Sequence, residues 1–338
     1  KLSGVWIMAY TTIDDPAIYF NTVVYTGNDS TQSITGVGFQ PDLVWGKNRA
    51  TATHHAWQDS VRGNTKVIKS SKTDAETTIT NMVTSFDSDG FSLGSDSDMN
   101  EGSGKSMVAW CWKETATAGF DIVLYTGNAT ARTISHSLSA VPKWIVVKNR
   151  SSVHDWRNYH ASLGATHNIY FGPNQGAADD STTPWNDTEP TSSVFTVGTA
   201  NGTNQNTDSM IAYLWSEKKG FSKFGSYIGN ATGNGGGPFV YTGFKPAWVM
   251  IKNASAGSTD WLIFDNKRGG PVASYYGNNN KFFLKTNATA AEANETFDMY
   301  SNGFKIKITN NFLNGDGNTL IYMAFAEHPF AGTSPGTA

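Results

Sequence analysis

Short apolar runs alternate with clusters of Gly, Asn, Asp, Thr and Pro along the whole chain, the spacing expected of strands joined by turns. Val23-Val24-Tyr25, Asp121-Ile122-Val123-Leu124-Tyr125 and Trp144-Ile145-Val146-Val147-Lys148 are built from β-branched and aromatic residues, which fit a pleated surface. Trp248-Val249-Met250-Ile251 is apolar at every position and predicts a strand covered on both faces, as in two packed sheets with decorating loops. Ser88-Asp89-Gly90-Phe91-Ser92-Leu93-Gly94 and Ser301-Asn302-Gly303-Phe304-Lys305-Ile306-Lys307 predict one hairpin seen twice, with Asp-Gly and Asn-Gly at the turn. The middle stretch Ser193-Val194-Phe195-Thr196-Val197-Gly198 lacks that turn pair, so a different loop is expected there. Helical periodicity is limited to one predicted turn each at Thr73-Asp74-Ala75-Glu76 and Ala288 to Ala293. The predicted class is all-β and antiparallel.

Internal repetition organises these strands. Tyr25-Thr26-Gly27-Asn28 returns 100 residues later as Tyr125-Thr126-Gly127-Asn128, and a further 102 residues on as Tyr227-Ile228-Gly229-Asn230. Each copy is followed by a Pro and Trp entry into a Lys-Asn strand: Pro41 to Trp45 and Lys47-Asn48, Pro142-Lys143-Trp144 to Lys148-Asn149, and Pro246-Ala247-Trp248 to Lys252-Asn253. A second Trp comes next, at Trp57, Trp156 and Trp261, and each copy closes on an apolar strand ending in Glu114, Glu217 or Glu327. Four anchors in the same order three times predict three tandem antiparallel β-sandwich repeats at 19–117, 118–219 and 220–330. Residues 1–18 read as an N-terminal extension or the end of a preceding element, and 331–338 as a flexible tail. Lys1 to Trp6 has neither signal-peptide character nor an initiator Met, so a processed or trimmed piece is expected.

The motif set resembles the tandem lectin-like, or concanavalin-A-like, β-sandwich repeats of structural proteins of tailed phages, especially marine ones. The resemblance rests on Gly38-Phe39-Gln40-Pro41-Asp42-Leu43-Val44-Trp45, Asp59-Ser60-Val61-Arg62-Gly63, Ser85-Phe86-Asp87-Ser88-Asp89-Gly90-Phe91 and Val108-Ala109-Trp110-Cys111-Trp112-Lys113 in the first copy, and on the close Tyr322-Met323-Ala324-Phe325-Ala326-Glu327-His328-Pro329-Phe330. The later copies depart further, with Asp265-Asn266-Lys267-Arg268-Gly269 an echo of Asp59 to Gly63. Over roughly residues 12–330 the resemblance implies jelly-roll-type sandwiches in a tail fibre, tail or capsid-decoration component located in the virion. It supplies neither a catalytic site nor a known ligand.

Composition narrows the partners. The 338 residues carry 25 Lys plus Arg against 28 Asp plus Glu, a net charge of −3 and a charged fraction of 16%, too sparse and too balanced for electrostatic capture of nucleic acid or anionic lipid. No apolar run approaches the ~20 residues of a membrane helix. The single Cys111 excludes an intrachain disulfide or a thiolate zinc cluster. Expected partners are other virion proteins and copies of the chain itself, with a host-surface glycan as ligand, and neither nucleic acid nor membrane insertion.

Among the 11 Trp, those at repeat anchors read as packing, whereas Trp185 has no counterpart in the other copies and lies among Thr, Asn and Asp. Trp185, Asn186 and Asp187 are therefore the candidate ligand-binding set: an exposed ring to cover a sugar face, with amide and carboxylate to bind its hydroxyls. Asp96, Asp98 and Asn100 alternate as in the opening of a calcium loop, but Gly102 comes one place late and Met107 stands where a bidentate Glu belongs. An EF-hand is excluded; a shallower Ca²⁺ site or a loop of turn-capping side chains remains, and no other cofactor is implied. His54-His55 is a second candidate for metal or proton binding, against a solvated loop. Asp59 and Glu114 could form a glycosidase pair, yet Glu114 recurs as Glu217 and Glu327, which favours a structural hydrogen bond. The expected protein is a non-enzymatic virion component in host attachment; the alternatives are a free carbohydrate-binding lectin or adhesin and, behind it, a polysaccharide depolymerase.

Overall fold

A computed structural model describes residues 11–172, 175–179, 182–233, 235–269 and 280–327, so residues 1–10 of the expected extension over 1–18 and the tail over 331–338 lie outside the described residues. The first stretch of chain forms β1 (Phe20–Thr26), β2 (Gln32–Thr35), β3 (Leu43–Asn48), β4 (Ala56–Asp59), β5 (Lys66–Lys69), β6 (Thr77–Thr78), β7 (Val83–Asp87), β8 (Gly90–Leu93), the single turn α1 (Ser97–Asn100) and β9 (Ser106–Trp112). The second forms β10 (Phe120–Thr126), β11 (Arg132–Ser135), β12 (Pro142–Asn149), β13 (Arg157–His160), β14 (His167–Tyr170), β15 (Ala178–Asp179), α2 (Thr182–Trp185), β16 (Val194–Val197), α3 (Asn201–Asn204) and β17 (Ser209–Ser216). The third forms β18 (Ser222–Ile228), β19 (Phe239–Tyr241), β20 (Pro246–Asn253), β21 (Leu262–Asp265), β22 (Asn280–Lys285), β23 (Ala293–Tyr300), β24 (Gly303–Ile306), α4 (Asn311–Asn314) and β25 (Thr319–Ala326). We call these stretches the first, second and third unit.

The molecule is all-β and antiparallel, and one strand order recurs. In β1-β9-β3-β4-β5-β6, β10-β17-β12-β13-β14-β15 and β18-β25-β20-β21-β22 the last strand of the unit inserts between the first and the third. A smaller sheet faces each of the first two: β2-β8-β7 in one and β11-β16 in the other. In the third unit β22 pairs with β23, so one eight-stranded sheet runs through β23 and β24 to β19. The two expected hairpins are β7-β8 and β23-β24; in the second unit, among the described residues, no strand is paired before β16 in this way, and α2 precedes it by a loop over residues 186–193.

Alternation along the central strands explains why they are apolar throughout. On β9, Ala109 and Cys111 face the small sheet of their own unit, while Val108, Trp110 and Trp112 face a cluster fed by all three units. On β17, Ala212 and Leu214 face inward and Ile211, Tyr213 and Trp215 face the shared cluster. β25 repeats this with Tyr322 and Ala324 on one side and Ile321, Met323 and Phe325 on the other. A strand with a period of two thus serves two cores, the bulkiest rings going to the shared one. Nine of the eleven Trp lie there, with Trp45 and Trp57 rings 4.4 Å apart, Trp144 and Trp215 stacked at 4.7 Å, and Trp112 edge-on to Trp248 at 5.7 Å.

The repeated Trp anchors hold a face, not a position. Trp45 stands two residues before Lys47, whereas Trp144 and Trp248 stand four before Lys148 and Lys252. Trp156 and Trp261 directly precede β13 and β21, but it is His55 that directly precedes β4, with Trp57 two places on. A shift of two leaves a side chain on the same face. Trp45 then donates its indole N–H to His55 Nδ1 at 3.0 Å.

An equivalent backbone bond ties each unit to the next, and the three bonds close a ring. Glu76 N–H donates to Arg150 O (2.9 Å), Ala177 N–H to Ala254 O (2.6 Å), and Glu292 N–H to Arg49 O (2.9 Å). This corrects the expected helical turns at 73–76 and 288–293: both are non-helical straps, because their Glu residues reach across to a neighbouring unit. One-turn helices occur instead at α1 to α4.

Candidate functional site

Most of the conspicuous motifs are committed to the fold. Tyr25, Tyr125 and Tyr227 each donate their hydroxyl to a carbonyl of the one-turn helix, at Met99, Thr203 and Leu313. Gly27, Gly127 and Gly229 pass so close to that helix end that a β-carbon would run into the carbonyl oxygen of Glu101, Gln205 or Gly315. The buried Asn100, Asn204 and Asn314 accept the backbone N–H of Asn28, Asn128 and Asn230, and each donates to two carbonyls, such as Ser30 O and Gly94 O for Asn100. The repeated Tyr-x-Gly-Asn is therefore a clamp between the first strand and the helix.

The Lys-Asn pairs shape the loop after the third strand. Asn48, Asn149 and Asn253 accept two successive backbone N–H groups each, for instance Ser151 and Ser152 on Asn149. Lys47, Lys148 and Lys252 are fully buried and donate to loop oxygens: Thr51 O for Lys47, Thr73 O and His154 O for Lys148, and Thr259 Oγ1 at 3.0 Å for Lys252. Burial pulls all three ammonium groups down to about 8. Glu114 and Glu217 receive the backbone N–H of Ile122 and Phe224 and so fasten the next unit's first strand. Burial and the neighbouring Asp121 push the Glu114 carboxyl up, whereas Lys223 pairs with Glu217 at 2.9 Å. Asp59 is closed inside an ion pair with Arg62 (2.5 Å), both side chains fully buried, and takes the Tyr213 hydroxyl at 2.7 Å. It is engaged in an inter-unit contact.

The predicted binding and metal residues are arranged differently from the expectation. Trp185 is 2% exposed and packs edge-on against Tyr159 in the inner core of the second unit, so it offers no ring to solvent. The turn α2 brings it inward and leaves Asn186 and Asp187, both with positive φ, at the surface. Asp96 caps α1 by accepting Asp98 N–H; Asp98 binds Lys69 Nζ at 2.6 Å and His54 N–H; and Asn100 is spent on the clamp. Their oxygens point to different partners and do not converge on a cation, and among the described residues no group of three His, Cys, Asp or Glu is disposed to hold a metal. The two histidines separate as well: His54 meets Ser71 Oγ at 3.0 Å, and His55 is buried against Trp45, its basicity lowered well below the usual value by burial and by Lys47 and Arg268.

What remains open is a concavity where the three units meet. A cavity of about 340 Å³ is lined by Ser70 to Asp74 of the first unit, Asp155, Trp156, Phe171 and Gly172 of the second, and Asn287 of the third. Ser70, Phe171 and Thr286 each follow the fifth strand of their unit, and Ser70 Oγ donates to Thr286 O at 2.7 Å. Trp156 is buried and fixed by donating to Lys69 O and Lys72 O, so its ring is held in place in the wall. The exposed carboxylates Asp74 and Asp155 and the Lys72 ammonium, 3.0 Å from Asp74, line the same space. Trp156 and Phe171 are 1% and 3% exposed and only back the wall, so what the lining offers a small polyhydroxylated ligand is several hydrogen-bonding groups of both signs. Sequence reasoning missed it because its residues are about a hundred positions apart; the alignable signal was the residue after each fifth strand. A second concavity, about 410 Å³, lies between β1 and β2 with Asn21, Gln32, Ser33, Thr35 and Lys267 on its walls.

No helix among the described residues is long and apolar enough to cross a membrane. No curated protein matches the chain. The model of a domain of unknown function, DUF7483, matches residues 15–329, nearly the whole length, and spans all three units with their clamps and straps. The chain belongs to the DUF7483 family.

Proposed function

We propose that the protein is a non-enzymatic structural component of a phage virion, a tail fibre, tail or capsid-decoration protein, whose three units are tandem concanavalin-A-like β-sandwiches and which attaches to a host through surface carbohydrate. The resemblance of the repeat motifs to phage lectin-like repeats supports the virion assignment. The observation that carries the binding role is the three-unit cavity: its Lys72, Asp74 and Asp155 remain open to solvent, unlike Asp59 and Asp265, which are closed in buried ion pairs with arginines. Asp59 and Glu114 serve as structural acceptors in this reading, which is why hydrolysis is not proposed.

The test is retention of the purified chain on an array of bacterial surface polysaccharides, with and without Ca²⁺, scored together with released oligosaccharide. Retention without release, unaltered by Ca²⁺ and weakened roughly tenfold by Asp74→Ala with Asp155→Ala, is the expected result. Released oligosaccharide would make the protein a depolymerase, and no retention on any polysaccharide would leave a scaffolding role alone.

A further inference from the structure

The outer face of the third unit's smaller sheet differs from that of the first in one respect. In the first unit, β2, β8 and β7 align Ser33, Ser92 and Ser85 in one row and Thr35, Gly90 and Asp87 in the next. Their side chains satisfy one another: Ser33 Oγ meets Ser92 Oγ at 3.0 Å, and Ser85 and Ser92 both donate to Asp87 at 2.7 Å. In the third unit the same rows, on β19, β24 and β23, read Phe239, Lys305 and Asp298, then Tyr241, Gly303 and Tyr300. The inward neighbours Val240, Phe304 and Phe297 are buried in both register and contact, so the outward residues are free of that packing duty.

Three rings therefore stand on a surface that the fold builds elsewhere from hydroxyls. Phe239 is 46% exposed, Tyr241 63% and Tyr300 42%. Phe239 and Tyr300 lie edge to face at 6.0 Å, and a β-carbon on Gly303 would sit 2.9 Å from Phe239 Cζ, so the missing side chain lets the ring lie over the strand. Beside them, Asp298 accepts the Tyr300 hydroxyl at 3.2 Å and Lys307 Nζ at 2.8 Å through one oxygen, while its other oxygen, Oδ1, is buried without a hydrogen-bond partner. Exposed phenyl and phenol rings beside the Lys305 ammonium fit a ligand with an apolar C–H face and vicinal hydroxyls, which is a pyranose ring.

We propose that Phe239, Tyr241 and Tyr300 form a glycan-stacking platform, with Asp298 holding the Tyr300 hydroxyl in place and Lys305 binding sugar hydroxyls at its edge. This rests on the carbohydrate-attachment reading and adds a second contact for an extended polysaccharide, separate from the three-unit cavity. One unit in three carries it, so each chain offers a single platform.

The test is the double variant Tyr241→Thr with Tyr300→Asp, which installs the residues that the first unit carries at those positions and keeps the sheet's own precedent for folding. Titration of the parent and variant full chains with the bacterial polysaccharides the parent retains should show at least about a tenfold loss, near 1.4 kcal/mol, at an unchanged melting temperature. Equal binding by the two would overturn the platform and leave the attachment reading standing; a parent that retains no polysaccharide would overturn both. Sedimentation velocity separates the remaining occupant: self-association of the parent that the variant loses, with polysaccharide binding unchanged, would assign the face to a second copy of the chain and overturn the platform.

Discussion

Among the described residues, two of the three junctions between units bury ion pairs and the third shows none. Between the first and second units, Arg62 lies against Asp59, Glu76, Trp57 O and the Tyr213 hydroxyl, and Arg150 binds Glu76 from the far side. Between the third and first, Arg268 lies against Asp265, Glu292 and Ile263 O, Trp110 donates to Asp265 at 2.9 Å, and Arg49 binds Glu292. Between the second and third, alanines meet at Ala177 and Ala254, and the neutral His160 faces Tyr322 O at 3.2 Å. The backbone bond across the junction is the same in all three places. The ring is thus closed by strand geometry, and among the described residues the ion clusters are additions at two junctions, which fits the rule that a buried ion pair is weak evidence for stability.

The comparison breaks most sharply at the arginines. Arg62→Met strands the Asp59 carboxylate in a fully buried site and should cost about 3–5 kcal/mol in urea unfolding, as should Arg268→Met at Asp265. Asp59→Leu combined with Arg62→Met should cost clearly less than Arg62→Met alone; an equal or larger loss would mean that the charges themselves hold the junction.

Acid should act on the neutral junction before the Arg62 junction. Burial, partly offset by the bond to Tyr322 O, lowers His160 from 6.5 to about 4. The unfolded chain then takes up a proton before the folded one does. The stability due to neutral His160 is complete above pH 6.5 and falls as the pH drops towards 4, by roughly 3 kcal/mol in all. His55 moves in the same direction, so His160→Gln should flatten part of the decline, not all of it. Burial raises Glu76, but its bonds to Arg150 and Arg62 outweigh this and hold its carboxyl below 4.5, so that junction weakens only below that pH. Amide exchange should accordingly report Ala177 opening before Glu76 between pH 6 and 5, values chosen as roughly midway in that window; simultaneous opening would deny the distinction.

The smallest effect is a control on sameness. Asn100→Ala, Asn204→Ala and Asn314→Ala each remove the clamp of one unit and strand a backbone N–H, which should cost about 1–3 kcal/mol. The values for Asn204 and Asn314 should agree within about 0.5 kcal/mol, and Asn100, which also accepts Gln32 Nε2 at 2.6 Å, should give the largest loss. A large spread between the first two would show that the units are unequal in ways beyond their junctions.

The strands, their antiparallel class and the threefold recurrence of Tyr-x-Gly-Asn were legible because they depend on local pattern: short apolar runs, Asp-Gly and Asn-Gly turns, and a motif that returns after about a hundred residues. Trp185 was misplaced for a comparable reason. A Thr-Pro-Trp-Asn-Asp segment reads as an exposed loop, but α2 turns its ring onto Tyr159, and burial of one aromatic outweighs the polarity of its neighbours. Asp96, Asp98 and Asn100 had metal-like spacing, yet their oxygens found Lys69, backbone N–H groups and the Asn28 loop within the unit.

By itself, then, the sequence determined the all-β class, the repeated strand motif and the apolar character of strands that needed cover on two sides. Tertiary structure alone decided what supplies the second cover, namely the other two units, because a strand's periodicity records that a face is buried and not against what. The same holds for the cavity at their meeting point and the aromatic face on the third unit: each joins residues that neighbour one another only after the sheets have paired and the ring has closed.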